Sequence, residues 1–426
     1  MPLLRDARLA AGVLQRLVRQ RSHQVRLRKA LASRPALVPG TYDIAVYFAD
    51  AAVNMYQIRQ WYKPLLELDR THRVLLLSRS ASAANAMLEE TTLPVAFVRR
   101  VDDLERIVAE QPMKIVLYVN QNTRNFQMMR YGRRWHVFVN HGESDKMYMT
   151  TNQFKAYDYS FIAGEAARRR LQRVLWDYDF DKRAIEIGRP QADHYSGDLP
   201  FTPDGRSVVL YAPTWEGDRS SAAYGSVASH GVELVRALVA TGRHRVVYRP
   251  HPRSGVVDPG YGAANREIIQ ILERANAADP AAVHVHDTGA DIGWQLAIAD
   301  VAVVDISAMV YDRLASGKPL LVTRPASNEA HIDEGGYLSD AEWLEAGDAS
   351  RIVERMADLE TDEASRARLS TWVEHYFGDT SPGATTARFH AVVEHLLDEW
   401  ERHAALHAED GPDIPDVDPD ERDDDD

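Results

Sequence analysis

A chain of 426 residues with 45% apolar side chains exceeds one ordinary hydrophobic core and suits two domains of common size. It contains no cysteine, which excludes disulfides, thiolate metal sites and a cysteine nucleophile. A net charge of −13 argues against a nucleic-acid partner, and the lack of any apolar run of about 18 residues argues against a spanning helix.

The charge is segregated along the chain. Residues 1–34 hold eight Arg and one Lys against Asp6 alone. Leu4, Ala7, Ala11, Leu14 and Val18 recur there at helical spacing, so residues 1–38 read as a basic amphipathic helix. Such a helix suits an anionic membrane surface; the alternative is packing on the body or on a partner. No secretory pattern opens the sequence, and the expected location is cytoplasmic, peripheral on the inner face of the cell membrane.

From Tyr42 onward, short apolar runs alternate with helical patterns. Ile44–Phe48, Val74–Leu77, Val95–Phe97, Ile115–Val119, Val137–Val139, Ser160–Ile162 and Ala184–Ile187 read as strands, with helices such as Met55–Leu68 and Glu165–Leu175 between them. This alternation predicts a parallel sheet covered by helices over residues 39–198. A turn-rich stretch, Ser196 to Gly205, ends it.

A second series follows over residues 199–382. Val208–Tyr211, Val246–Tyr248, Val283–Val285, Val301–Val304 and Leu320–Thr323 read as strands, and Val232–Ala240, Arg266–Ala275, Ile292–Ile298 and Ala308–Ser316 as helices. The predicted fold class is therefore α/β, two Rossmann-like domains facing a cleft, the GT-B arrangement. A helix within residues 383–407, carrying Phe389, Val393, Leu396 and Trp400 on one face, is expected to cross back to the first domain. Residues 408–426 form an acidic tail, with eleven acids against Arg422 from Glu409 onward, and read as disordered.

Three strand-like runs stop on polar, turn-prone residues, as when an open α/β sheet delivers side chains to a crevice at its strand ends. These are Tyr211-Ala212-Pro213-Thr214-Trp215, Tyr248-Arg249-Pro250-His251-Pro252 and Val304-Asp305-Ile306-Ser307. Asn140-His141-Gly142 lies upstream. Taken alone, His141 also reads as a hydrogen-bonded turn histidine, Arg249 as a solvated strand-end residue, Trp215 as a plug for its loop, Ser307 as a helix N-cap and Asp312 as a solvated helix residue. Glu143, Asp145 and Lys146 follow His141; the two acids suit acceptor hydroxyls, a divalent cation or simple loop solvation. His284 and His286 share a strand face at metal-binding spacing, without a third ligand.

Together, in this order over roughly residues 135–325, the four blocks resemble the CDP-glycerol glycerophosphotransferases that build teichoic acids and related polyol-phosphate polymers. The resemblance implies transfer of a polyol phosphate, most simply glycerol phosphate, from a CDP-polyol to a lipid-linked or polymeric polyol-phosphate acceptor, with CMP released. It implies His141 as general base and His251 as a donor-phosphate contact that stabilises the leaving group. Arg249, Thr214, Trp215, Ser307 and Asp312 would hold the donor, and Glu143, Asp145 and Lys146 would be acceptor contacts. It implies no definite cofactor, and a divalent cation is compatible. The chain departs from the family where Ile306 and Ala308 replace an aromatic residue and a second serine, which bears on donor identity. Two other readings stand beside this one: a GT-B glycosyltransferase or epimerase using a UDP-sugar, and a non-catalytic scaffold for wall assembly.

Overall fold

The computed structural model describes residues 18–143, 151–289, 292–332 and 335–410. Seven parallel strands form the first sheet: β1 (Ile44–Phe48), β2 (Val74–Ser78), β3 (Val95–Phe97), β4 (Ile115–Tyr118), β5 (Trp135–Phe138), β6 (Tyr159–Ile162) and β7 (Ala184–Glu186). Their spatial order is β3-β2-β1-β4-β5-β6-β7. Six parallel strands form the second: β8 (Ser207–Ala212), β9 (His244–Tyr248), β10 (Val285–His286), β11 (Val301–Val304), β12 (Leu320–Thr323) and β13 (Trp343–Leu344), ordered β10-β9-β8-β11-β12-β13.

All five residues of β1 are buried because helices cover both faces of the sheet. Ile44, Val46 and Phe48 join one core with Leu27, Trp61 and Phe389; Ala45 and Tyr47 face the opposite core with Leu104 and Met128. β8 divides in the same way, Val208, Leu210 and Ala212 on one face and Val209 and Tyr211 on the other. In both sheets the order reverses beside the first strand, β1 or β8, so the C-terminal ends of β1 and β4, and of β8 and β11, frame a crevice.

The structure corrects three sequence expectations and adds one strand. Met55–Leu68 is two helices, Met55–Arg59 and Tyr62–Leu68, because Pro64 has no N–H to give the Gln60 carbonyl. The break sends the Trp61 indole N–H to the Asn140 carbonyl at 2.5 Å. The strand near Val283 begins only at Val285: Val283 has φ +42°, outside the extended region, and the Asn276 side chain supplies ladder-like bonds to the His284 N–H and C=O at 2.7 and 2.8 Å. The helix expected over Arg266–Ala275 runs Pro259–Ala278, because the Asp258 side chain caps it by accepting the Gly260 N–H and Pro259 supplies a preset first-turn φ. β13, two residues long on a sheet edge, has too short a pattern to register in sequence.

Residues 18–32 are helical and lie on the first domain. Leu27 is buried in the core beneath, Ala30 and Leu31 pack beside it, and Asn85 Nδ2 donates to the His23 carbonyl at 2.9 Å. Val18, expected on the apolar stripe, is exposed, as are Arg19, Arg21, Arg28 and Lys29. Leu4, Ala7, Ala11 and Leu14 lie outside the described residues. At the other end of the chain, the helix Ala384–Leu406 buries Phe389, Val393 and Leu396 against the first sheet, and its Leu396 carbonyl accepts the Trp135 indole N–H at 2.9 Å.

Candidate active site

His141 follows β5 in a turn that its neighbour builds. Asn140 has φ +55°, a left-handed conformation that asparagine tolerates. Its side chain accepts the His141 N–H and donates to the Gly142 carbonyl, both at 2.8 Å. The His141 ring is fixed by Nδ1, 3.0 Å from the Val119 carbonyl. A carbonyl can only accept, so Nδ1 carries the proton and Nε2 presents a lone pair. Burial, aided by Arg189, holds the pKa of this imidazole below its ordinary value, against the opposing pull of the Val119 carbonyl and Asp50.

His251 has the opposite tautomer. It follows β9, where the backbone N–H of Arg253 donates to Nδ1 at 3.1 Å, so the ring's proton sits on Nε2. The ring stacks on Trp215, centroids 6.4 Å apart, and the Arg253 guanidinium covers the indole at 3.8 Å. Glu216 ties the two loops together by accepting the N–H groups of Gly255, Val257 and Asp258 at 2.7–3.0 Å. Burial and Arg253 lower the His251 pKa also.

The Thr214 turn is anchored by a residue whose role was not assigned from sequence. Asp305, fully buried at the end of β11, accepts the Thr214 N–H at 2.7 Å, the Ser226 N–H at 3.0 Å and the Thr323 hydroxyl at 2.5 Å. Burial pushes its carboxyl up to about 6, against these three donors. The Asp-Ile-Ser block thus holds the Thr-Trp block in register. Ser307 caps the helix Ala308–Ala315, its hydroxyl accepting the Met309 N–H at 3.2 Å. Arg249 is an ion-pair member, not a solvated residue: it donates to Asp287 at 2.5 Å, and Asp287 also accepts from Gln295 at 2.6 Å and Gly289 at 3.0 Å.

Two expected ligand contacts are committed elsewhere. The Asp312 carboxylate, from the second domain, pairs with Arg189 just beyond β7. Arg189 also donates to Gln60 at 3.0 Å and to the Tyr195 hydroxyl at 3.3 Å. Burial pushes the Asp312 carboxyl up, and Arg189 opposes it. The pair joins the strand-end loops of one sheet to the helix at the strand end of the other. Glu143 is buried and paired with Arg170 of the helix Glu165–Val174, which turns it into the first domain and away from an acceptor or cation role. Asp145 and Lys146 lie outside the described residues. His284 Nδ1 accepts the Val246 N–H at 3.1 Å, and burial lowers the ring's pKa to about 4; His286 stacks on Tyr248 instead, centroids 6.0 Å apart.

Sequence reasoning also passed over Asp50, Asn120 and Asn122, which stand beside His141 at the ends of β1 and β4. Their signal was available: Asp50 and Asn120 each end an apolar run directly, and Asn122 lies two residues beyond Asn120.

Two parallel α/β domains, with His141 and its basic nitrogen at a strand end of one and His251 with its N–H at a strand end of the other, are the GT-B arrangement. The sequence matches the family of CDP-Glycerol:Poly(glycerophosphate) glycerophosphotransferase over residues 105–338, more than half of the chain, and the protein belongs to that family of enzymes. Among solved structures it is similar to the wall teichoic acid polymerase TagF, with 11% identity, 91% of this chain and 98% of that one covered, and a TM-score of 0.54. A TagF variant soaked with CDPG matches at 11% identity over 91% of this chain and 98% of that one, TM-score 0.52. A proposed UDP-N-acetylglucosamine 2-epimerase from Listeria monocytogenes shares 13% identity over 84% of this chain and 98% of its own, TM-score 0.53. These likenesses concern the fold. No curated protein matches the chain in sequence.

Proposed function

We propose that this chain transfers glycerol phosphate from CDP-glycerol to a hydroxyl of a lipid-linked or polymeric polyol-phosphate acceptor in teichoic acid synthesis. Residues 39–198 bind the acceptor and residues 199–382 the CDP donor. The acceptor hydroxyl attacks the distal phosphorus, its proton passes to His141 Nε2, and the bond from that phosphorus to the bridging oxygen breaks, releasing CMP. His251 Nε2–H donates to the donor phosphates as charge grows on the bridging oxygen. Arg249, oriented by Asp287, supplies a fixed cation there, with the Thr214 and Ser307 hydroxyls beside it and Trp215 flanking the polyol. Asp312 acts through Arg189 and does not touch the donor.

The observation that carries this reading is the pair of complementary tautomers, an acceptor Nε2 on His141 and a donor Nε2–H on His251. The deciding assay is CMP release from CDP-glycerol, CDP-ribitol and UDP-sugars with a lipid-linked polyol-phosphate acceptor. Acceptor-dependent turnover of CDP-glycerol supports the reading; turnover of a UDP-sugar alone replaces it.

The pH profile follows from the His141 shift. The base works only when neutral, and its pKa lies below the ordinary 6.5. Activity should therefore be at its plateau by neutral pH and fall on acidification, with a midpoint below 6.5 in kcat/KM. Because His251 acts as a neutral donor, no alkaline limb is expected between about pH 7 and 8.5. A midpoint above 7 would remove His141 as the base.

We further propose a peripheral site on the inner face of the membrane, supported by the outward face of the helix at residues 18–32. Among the described residues, no helix is long and apolar enough to cross a membrane. Near an anionic surface each cation contributes about 1 kcal/mol. The triple variant Arg19→Glu, Arg21→Glu, Arg28→Glu should therefore bind phosphatidylglycerol vesicles about a hundredfold more weakly in co-sedimentation. Unchanged binding, or equal binding to neutral phosphatidylcholine vesicles, would remove this role.

A further inference from the structure

A cavity of about 510 Å³ opens at the C-terminal ends of β1, β4 and β5, with His141 in its wall. Its floor is a hydrogen-bond chain. Asp50 accepts from Asn120 Nδ2 at 2.6 Å on one oxygen and from Asn122 Nδ2 at 2.9 Å on the other. Asn120 Nδ2 also donates to Gln57 Oε1 at 2.7 Å, and Gln57 Nε2 donates to the Tyr56 hydroxyl at 3.2 Å.

That arrangement uses the donors and leaves acceptors over. Both Nδ2 hydrogens of Asn120 are committed, while its Oδ1 has no partner among the described residues although Asn120 is only 5% exposed. A buried acceptor without a donor costs about 1–3 kcal/mol, a deficit that a ligand hydroxyl can relieve. Each Asp50 oxygen has one donor among the described residues and a further lone pair. The described lining contains this carboxylate and neither lysine nor arginine, so it disfavours a phosphate. Tyr56, 51% exposed, makes a T-shaped contact with the His141 ring, centroids 5.8 Å apart, at the edge of this lining.

We infer that this cavity seats the neutral, hydroxyl-bearing end of the acceptor, Asp50 and Asn120 accepting hydrogen bonds from a hydroxyl adjacent to the one that His141 deprotonates. The acceptor terminus is thus read as a vicinal diol rather than as a phosphate. Gln57 and Asn122 position the two acceptor groups, and Tyr56 covers the carbon chain. The inference rests on the glycerol-phosphate transfer proposed above.

The test compares two soluble acceptors that carry the same attacking primary hydroxyl: the methyl phosphodiester of glycerol, and that of 1,3-propanediol, which lacks the neighbouring hydroxyl. With full-length protein and CDP-glycerol, wild type should favour the diol at least tenfold in kcat/KM, since a site built to bond a hydroxyl rejects an analogue without it. Asp50→Asn should reduce that preference to within about twofold by raising the diol KM, leaving the donor KM unchanged. Tyr56→Ala, at an exposed position where folding is insensitive, should weaken both acceptors alike. The same two phosphodiesters are also titrated without donor by ligand-detected NMR. Diol-selective binding lost in Asp50→Asn, in a protein that turns over no CDP-glycerol, would keep this inference and remove the transfer reading. Turnover without diol preference, or a preference that survives Asp50→Asn, would overturn the inference alone. Wild type that neither binds nor uses either phosphodiester would overturn both.

Discussion

His141→Ala is expected to lower acceptor-dependent CMP release about a thousandfold, the middle of the range for a positioned general base. The ring's only described polar tie is the Nδ1 bond to the Val119 carbonyl, so its loss should cost about 1 kcal/mol of stability and leave the protein folded. His251→Ala should cost less, about a hundredfold, because that ring donates to charge on the donor and transfers no proton from the nucleophile. Raising the pH to 9 should recover part of the His141→Ala loss, since more of the acceptor hydroxyl is then ionised, and none of the His251→Ala loss. A His141→Ala enzyme retaining a tenth of wild-type turnover would show that the base is another group. Measuring initial rates for both variants, with thermal unfolding as the control for folding, separates these cases.

Most of the fold was legible in the chain because parallel strands buried on both faces leave uninterrupted apolar runs. Ile44–Phe48, Val95–Phe97, Val301–Val304 and Leu320–Thr323 are strands with the bounds that their sequences predict. Failures came where a single side chain overrode the pattern, Pro64 dividing one helix and Asn276 replacing the ladder beside His284. For the site, local sequence identified the loops but not the partners. Nothing near Asp312 points to Arg189, and nothing near Glu143 points to Arg170, since these pairs join residues 123 and 27 positions apart. Asp50 was missed for a related reason: the carboxylate acquires meaning only beside Asn120 and Asn122, about 70 residues away.

The Arg189–Asp312 pair carries the second large effect. Both side chains are nearly inaccessible, at 6% and 13%, and they come from different domains. Removing one partner from a buried pair leaves an uncompensated charge, which typically costs about 3–5 kcal/mol. Arg189→Ala should therefore destabilise the protein by about that amount, with Asp312 left in a site that already resists ionisation. Asp312→Leu should cost less, because Gln60 and the Tyr195 hydroxyl still accept from Arg189. The Arg189→Met, Asp312→Leu double variant leaves no buried charge and should recover most of the Arg189→Ala loss, as apolar replacement of buried ion pairs often does. Chemical denaturation of wild type, Arg189→Met, Asp312→Leu and the double variant closes the cycle, and a coupling energy of at least about 2 kcal/mol is the expected result. Additive losses below about 1 kcal/mol would show a solvated contact of no structural weight. The double variant also tests function separately from stability. Arg189 lowers the His141 pKa, so without its charge the acid limb of kcat/KM should move to higher pH in an otherwise stable enzyme. The same pair would thereby hold the two domains together and keep the base neutral where the reaction runs.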